Sequence, residues 1–292
     1  MGTVFRFGIE KNSFMYSRLV LTGKYLRYCF HAANARGHGI HSPFVFDFVR
    51  NVLRDRTAYP AFRAIEGLRR QLLSDRTKLE VEDMGAGSAK GRGSVEAAKA
   101  AVRIRSVAEI ARHAAKPARL GQLLYRMARY YRPGVAVELG TSLGLSSAYL
   151  ASGMKDGNTD GKLWTIEGSA SIAALAAGHL TGLGLENANT LTGNFDDRLE
   201  PLLDAVGPVE FAFVDGNHRY EPTLRYFGQL LQHAGNSALL VFDDIHWSTE
   251  MESAWERIRA DSRVPMTIDL FHFGLVVIRE SFKVKQHFAI RF

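Results

Sequence analysis

The second half of the chain predicts an α/β fold with a seven-stranded sheet whose last strand is antiparallel, preceded by a helical N-terminal extension. From Val135 onward, short apolar runs typical of strands alternate with stretches typical of helices. This alternation indicates a parallel sheet that is covered by helices on both faces. The predicted strands are residues 135–138, 163–167, 189–192, 209–215, 238–244, 266–270 and 274–279. A short turn joins the last two, so we expect that pair to be antiparallel.

The first half differs in charge, which predicts a separate unit. Residues 1–134 carry 25 Lys and Arg against 10 Asp and Glu, a net charge of +15, whereas residues 135–292 have a net charge of −8. We expect a basic helical extension over residues 1–105 and the α/β domain over residues 106–292. Within the extension, Lys and Arg alternate with Gly and predict a flexible loop near residues 84–95.

Local patterns in the first half predict helix boundaries. Ser42 and the proline after it predict a helix start, with a hydroxyl cap and a proline in the first turn. Residues 95–131 are expected to be mostly helical, and Pro117 to divide them into two helices. His38 and His41 could be metal ligands or substrate contacts, and the favoured alternative is hydrogen bonding within a capped turn.

The composition excludes several classes of protein. With 46% hydrophobic residues, the chain as a whole is not disordered. The single Cys29 cannot form an internal disulfide or a cysteine metal cluster, which favours a reducing compartment. We find neither the ~20-residue apolar run that crosses a bilayer nor a secretory leader. We therefore expect a cytoplasmic protein.

Glycines and acidic residues stand where the predicted strands end. Glu138 ends the first strand and precedes a turn with Gly140 and Gly144, and Glu167 ends the second strand. In an open α/β sheet, ligands bind beyond the carboxyl ends of the strands, where the strand order reverses. Glycine lets a ligand approach the backbone, and the carboxylate of Glu167 can accept both hydroxyls of a ribose. The acids at later strand ends, which converge on the same rim, are Asp215, Asp243 and Asp244.

The order of these residues resembles the class I S-adenosylmethionine-dependent methyltransferases over about residues 110–292. The resemblance implies a Rossmann-like fold with a reversed final hairpin, and S-adenosylmethionine as the cofactor. In that family the first turn holds the methionine part, the second-strand acid holds the ribose, and residues after the third strand flank the adenine. The implied cofactor-binding residues are Glu138, Gly140, Thr141, Gly144, Glu167, Asn194, Phe195 and Asp215. A nicotinamide dehydrogenase is a poor fit, because the turn lacks the Gly-x-Gly-x-x-Gly spacing.

Residues 215–220 and 242–247 resemble the metal-dependent O-methyltransferases. In those relatives, aspartates at both places bind magnesium, and the histidine three residues after the first aspartate can be the base. The implied metal ligands are Asp215, Asp243 and Asp244, a hard oxygen site that suits Mg²⁺. The ion would lower the pKa of an acceptor hydroxyl while His218 or His246 takes the proton. The catechol-type pattern has an amide where Asp244 stands, and strand-end acids can instead cap helices or form ion pairs.

Three segments outside the sheet extend the resemblance to nearly the whole chain. The run 38–44, the glycine-containing segment after Asp83 and the ending 285–292 are similar to a bacterial group related to methyltransferase domain family 24. This resemblance implies the fold and the cofactor but no substrate.

Three functions stay open at this point. The leading one is O-methylation of a hydroxyl on a small molecule or a glycan. The second is a nucleic-acid methyltransferase that uses the basic half, although residues 215–218 lack the Asn/Asp-Pro-Pro-Tyr/Phe motif of amino-directed DNA enzymes. The third is a non-catalytic cofactor-binding or scaffold protein. For the oligomeric state, a homodimer is one alternative that the sequence leaves open.

Overall fold

The structure is a computed structural model that describes residues 15–33, 41–82, 102–157 and 160–292. The predictions for His38, for the segment after Asp83 and for the loop near residues 84–95 lie outside these residues. The helices are α1 (Arg18–His31), α2 (Pro43–Phe48), α3 (Pro60–Ser74), α4 (Val107–Ala114), α5 (Ala118–Tyr131), α6 (Leu145–Asp156), α7 (Ala170–Gly182), α8 (Phe195–Val206), α9 (Tyr220–Gln232) and α10 (Thr249–Ala260). A π-helical turn, Val49–Leu53, continues α2. Among the described residues, we find no helix long and apolar enough to cross a membrane.

The strands form one large sheet and one small one. They are β1 (Lys78–Glu82), β2 (Val102–Ser106), β3 (Val135–Leu139), β4 (Lys162–Glu167), β5 (Ala188–Thr192), β6 (Val209–Val214), β7 (Ala234–Asp243), β8 (Met266–Asp269), β9 (Phe273–Arg279) and β10 (Gln286–Ala289). The large sheet has the order β10-β8-β9-β7-β6-β3-β4-β5. Within it, β9 is antiparallel to both of its neighbours, and the other described pairs are parallel.

The seven predicted strands and the α/β class are confirmed, and the predicted last strand is the antiparallel β9. The sheet also has an eighth strand, β10, which the sequence did not predict. β10 is a four-residue edge strand of mixed polarity, Gln-His-Phe-Ala, and it lacks the apolar run that marks a buried strand. The strand order reverses between β3 and β6, and the switch point of the fold lies there.

In the first half of the chain, one local prediction is wrong and two are confirmed. Residues 102–106, expected to be helical, form β2, which pairs antiparallel with β1. In the sequence, Val and Ile alternate with Arg, a period-2 pattern typical of a strand that the surrounding Ala and Arg concealed. The Ile104 side chain is exposed in the structure. The break predicted at Pro117 is present, because α4 ends at Ala114 and Pro117 caps the start of α5. Ser42 caps α2 with its hydroxyl, as predicted.

The first half of the chain shares its core with the sheet. Buried side chains of α2 and α3, such as Phe48 and Ile65, belong to the same apolar cluster as those of α5 and α6. The backbone of α5 packs directly against a side chain of α6. A Cβ added at Gly121 of α5 would overlap the ring of Tyr149 of α6, so only glycine allows this approach. This packing fixes the start of α5 against the sheet. The division of the chain near residue 106 stays a prediction.

Candidate active site

The carboxyl ends of β3, β4, β6 and β7 surround a cavity of about 440 Å³. The strand ends contribute Gly140, Glu167, Asp215 and Asp244 to its lining. The opposite wall comes from the first half, through the β1–β2 pair and the loop that leads from α4 to α5. This volume lies within the range of small-molecule sites, about 300–1,000 Å³. The cavity is therefore at the switch point, where the fold predicts a ligand.

The glycine turn after β3 brings bare backbone to the cavity. Gly140 has a φ of +103° and Gly144 a φ of +84°, conformations that favour glycine. A Cβ added at Gly140 would overlap the carbonyl oxygen of Asp215 at the end of β6. Gly140 lines the cavity, whereas Gly144 caps α6 beside Ala176 of α7. We call this turn, residues 140–144, the glycine cradle, because its bare backbone leaves room that a side chain would fill.

Glu167 ends β4 with its carboxylate held in one orientation. The backbone N–H of Ser142 donates to Oε2 at 2.8 Å, and that of Ser169 donates to Oε1 at 3.1 Å. Burial raises the pKa of Glu167 above its ordinary value, and these hydrogen bonds partly oppose the rise. Each carboxylate oxygen keeps a further lone pair. Glu167 lines the cavity and can accept hydrogen bonds from a ligand's hydroxyls.

Asn194 and Phe195 line the cavity at the start of α8. The Asn194 side chain caps the helix by accepting from the N–H of Asp196 at 3.2 Å. The Phe195 ring meets the Tyr226 ring edge to face, with centroids 5.8 Å apart. A Cβ at Gly216 would lie 2.5 Å from the Phe195 ring, so glycine is required there for the ring to approach. Phe195 is therefore a fixed apolar part of the wall, and Asn194 adds a polar group beside it.

Glu138 and Thr141 lie behind the glycine turn and do not line this cavity. The buried carboxylate of Glu138 accepts from the hydroxyls of Ser147 and Thr165, the latter at 2.7 Å. The Thr165 hydroxyl in turn contacts that of Thr141 at 2.5 Å. Burial raises the pKa of Glu138 to about 7. The predicted cofactor-binding residues thus divide into a lining set and a set that supports the turn from inside. The lining set is Gly140, Glu167, Asn194, Phe195 and Asp215.

The three predicted metal ligands converge on an ammonium group that the sequence did not reveal. Lys116 Nζ contacts Asp243 Oδ2 and lies 3.0 Å from Asp215 Oδ1 and 3.7 Å from Asp244 Oδ2. Burial opposes the charge of Lys116, but the three carboxylates outweigh it and hold the pKa of Lys116 well above its ordinary range. Asp215 and Asp243 are separated from Lys116 by about a hundred residues or more, and nothing in the sequence links them.

A divalent cation does not fit this cluster alongside Lys116. Asp215, His218 and Asp243 each offer a ligand atom, and these atoms lie within 4.8 Å of one another. Lys116 Nζ already occupies the oxygens that such a cation would use, since it contacts Asp243 Oδ2 and lies 3.0 Å from Asp215 Oδ1. The donor set suits one internal ammonium.

The two predicted bases occupy different surroundings. His218 lines the cavity, with Nε2 3.5 Å from Asp215 Oδ1 and its ring 5.4 Å from the ring of Trp247. His246 does not line the cavity. Its Nε2 lies 2.8 Å from Asp269 Oδ2, and its Nδ1 lies 3.2 Å from Glu252 Oε1. Burial favours the neutral ring, but the two carboxylates outweigh it and raise the pKa of His246.

Comparison with known proteins identifies the domain. Residues 137–245 match the family described as a methyltransferase domain. A protein of Mycobacterium sp. (strain JLS), provisionally named an O-methyltransferase, is 30% identical over 149 residues, which are 50% of this chain and 64% of that protein. The chain spans less than two thirds of the length of the two curated relatives that it matches.

Two solved structures share the fold. The Podospora anserina methyltransferase PaMTH1, bound to SAH, is similar with a TM-score of 0.54 and 12% identity, covering 83% of this chain and 98% of that one. Cofactor-bound Rv0187 from MTB has a TM-score of 0.52 and 18% identity, covering 84% of this chain and 100% of that one. The domain match over residues 137–245 and the shared fold support a class I S-adenosylmethionine-dependent methyltransferase related to the O-methyltransferases.

Proposed function

We propose that this protein transfers a methyl group from S-adenosylmethionine to a hydroxyl of a small molecule. One observation carries the proposal: the glycine cradle, the oriented carboxylate of Glu167 and a histidine held beside Asp215 line the same cavity. When bound, S-adenosylmethionine supplies an electrophilic methyl group. The protein must hold this cofactor, exclude water and take a proton from the acceptor.

The cavity wall offers matching groups for each part of the cofactor. Glu167 accepts the ribose hydroxyls, because its carboxylate is already fixed by two backbone N–H groups. The bare backbone at Gly140 accommodates the methionine part, where a side chain would collide with Asp215. Asn194 and Phe195 flank the adenine, with the aromatic ring held in place by Tyr226. Glu138 and Thr141 support the turn from inside.

His218 is the proposed base. Its Nε2 faces Asp215 Oδ1 at 3.5 Å, which favours the tautomer with the proton on Nε2. The lone pair of Nδ1 is then available to take the acceptor's hydroxyl proton. His246 does not serve this role in the proposal, because both of its ring nitrogens face carboxylates.

The size of the cavity favours a small acceptor or a single sugar of a glycan. About 440 Å³ must hold both the cofactor and the part of the acceptor that reacts. The Trp247 ring, next to His218, offers an apolar face on which an aromatic or sugar ring can stack.

Mg²⁺ has no part in the proposal, since Lys116 lies among the carboxylates. The cytoplasmic location, the homodimer and the domain division at residue 106 remain proposals from the sequence.

A methyl-transfer assay tests the proposed function. The full chain is incubated with methyl-labelled S-adenosylmethionine and a panel of phenols, alcohols and glycosides, with DNA and RNA as separate arms. We expect label in an ether product from a hydroxyl compound. Label in nucleic acid alone would overturn the small-molecule proposal. Cofactor binding without any labelled product would support the non-catalytic alternative.

A further inference from the structure

The half-buried Lys116 has a fixed position at the cavity. Lys116 directly precedes Pro117, and α5 begins one residue later. The helix α5 is packed tightly against α6, where a Cβ at Gly153 would overlap the carbonyl oxygen of Tyr125. From this anchored start, the side chain of Lys116 lines the cavity and contacts the acidic residues at the ends of β6 and β7. A charge that is placed this way needs little rearrangement during a reaction.

The ammonium is a donor with unused capacity at the cavity. A protonated lysine has three N–H donors. Asp215 and Asp243 lie within hydrogen-bond distance, but Asp244 Oδ2, at 3.7 Å, lies beyond it. Lys116 itself lines the cavity and keeps 16% of its side-chain surface exposed. Among the described contacts of the ammonium, two N–H groups are therefore taken by Asp215 and Asp243. The third N–H is the one best placed to donate to an oxygen atom that enters the cavity.

The charges around Lys116 indicate the role of its third N–H group. Three carboxylates, Asp215, Asp243 and Asp244, face one ammonium. A hydroxyl that loses its proton beside three carboxylates would be strongly disfavoured unless a cation lay between them. A purely structural ion pair needs neither a third carboxylate nor a place on a cavity wall. The cluster has the composition of a metal site with a lysine at its centre.

We propose that Lys116 is the resident cation of the acceptor site, which fills the place of a divalent metal and stabilises the acceptor oxygen during methyl transfer. This inference rests on the proposed function. In the transfer, an O–C bond forms as the S–C bond breaks, and the bonding pair stays on sulfur. The hydroxyl proton passes to His218. Lys116 neither gains nor loses a proton, and its charge offsets the charge that develops on oxygen.

Manganese binding tests the assignment without a known acceptor. Mn²⁺ is titrated into the full chain, with S-adenosylhomocysteine present, and free Mn²⁺ is followed by electron paramagnetic resonance. We expect the wild type to show no specific site at micromolar Mn²⁺. Lys116→Met and Lys116→Gln should each bind Mn²⁺ at least about tenfold more tightly, because removal of the ammonium leaves three carboxylates unneutralised. Adding Asp243→Asn to Lys116→Met should abolish the gain.

The controls separate this inference from the proposed function. Lys155→Met removes a lysine of α6 that donates to Gly184 at the surface, and it should leave Mn²⁺ binding unchanged. Circular dichroism establishes that each variant is folded. A tight Mn²⁺ site in the wild type, or folded Lys116 variants without a gain, would overturn the assignment. S-adenosylhomocysteine binding by the wild type reports separately on the proposed function, and its absence would refute that function alone.

Discussion

Lys116 and Asp215 form an ion pair of 3.0 Å between the loop before α5 and the end of β6. The pair joins the wall built by the first half of the chain to the acidic strand ends of the second half. Burial would raise the pKa of Asp215, but Lys116 and His218 outweigh it and lower that pKa. Asp215 therefore stays ionised, and it can orient His218 while it anchors the ammonium.

Removal of the Lys116 charge should lower turnover more than cofactor affinity. With an acceptor from the methyl-transfer panel, we expect Lys116→Met to reduce kcat by roughly 100-fold or more, a size typical of lost charge stabilisation. S-adenosylmethionine affinity, measured by calorimetry, should change little. Wild-type activity should not depend on added Mg²⁺ and should persist in EDTA, whereas added Mn²⁺ should partly restore the variant. Inhibition of the wild type by EDTA would contradict this expectation.

Replacement of Glu167 should weaken the cofactor complex. Glu167→Ala removes a carboxylate that is held by the N–H groups of Ser142 and Ser169. A hydrogen bond to a charged group contributes about 1.5–3 kcal/mol, so loss of even one of the ribose contacts predicts at least about 10-fold weaker binding by calorimetry. The exposed Glu186 provides the matched control, and Glu186→Ala should bind like the wild type. Equal affinities for the two variants would show that Glu167 does not hold the ribose.

The glycine cradle predicts a sharp contrast between two Gly→Ala changes. Gly140→Ala places a Cβ against the carbonyl oxygen of Asp215, at a φ of +103°. We expect a loss of at least about 1 kcal/mol in the free energy of unfolding, together with loss of cofactor binding. Gly178→Ala, within α7, has open space around the added Cβ and should be neutral or stabilising. Urea unfolding and calorimetry on both variants measure the contrast, and a Gly140→Ala protein with unchanged binding would argue against the cradle.

The buried carboxyl of Glu138 should make stability fall as the pH rises toward neutrality. In the folded protein burial raises its pKa to about 7, above its ordinary value of 4.5. The stabilisation from this group is complete below pH 4.5 and is lost as the pH rises through about 7, because the unfolded chain ionises first. The loss is about 3 kcal/mol for a shift of this size.

Urea unfolding at pH 5 and pH 8 measures this dependence. Subtracting the same data for Glu138→Gln removes the contributions of all other groups. We expect the wild type to lose stability relative to the variant between these pH values. Glu186→Gln, at an exposed position, is the matched control for the substitution itself. A wild type that gains stability relative to Glu138→Gln would mean that the carboxyl is ionised throughout.

The two histidines should respond differently to removal. His218→Ala is expected to lower kcat by about 10²- to 10⁴-fold, the usual contribution of a general base, with little change in cofactor affinity. His246→Ala should mainly reduce stability, because it leaves the carboxylates of Glu252 and Asp269 without their shared partner. Steady-state kinetics and thermal unfolding of both variants separate these effects. An unchanged kcat for His218→Ala would assign the proton to water or another group.

The sheet and the position of the cavity could be predicted because they depend on local patterns. Apolar runs that end in acidic residues, such as Glu138 and Glu167, mark both the strands and the edge at which they meet. The strand β10 could not be predicted in this way, since its four residues are held by pairing with β8 and carry no pattern of their own. Lys116 escaped prediction for a related reason. Its partners are more than 95 residues away in sequence and depend on how α5 docks on the sheet.

Cofactor binding by the wild-type chain is the decisive measurement for methyl transfer by this protein. S-adenosylmethionine is titrated into the full-length protein in a calorimeter, in buffer that contains EDTA. We expect one site per chain in the absence of any metal, with an affinity that falls in Glu167→Ala and is retained in Glu186→Ala. A wild-type protein that binds no S-adenosylmethionine under these conditions is not a methyltransferase of the proposed kind.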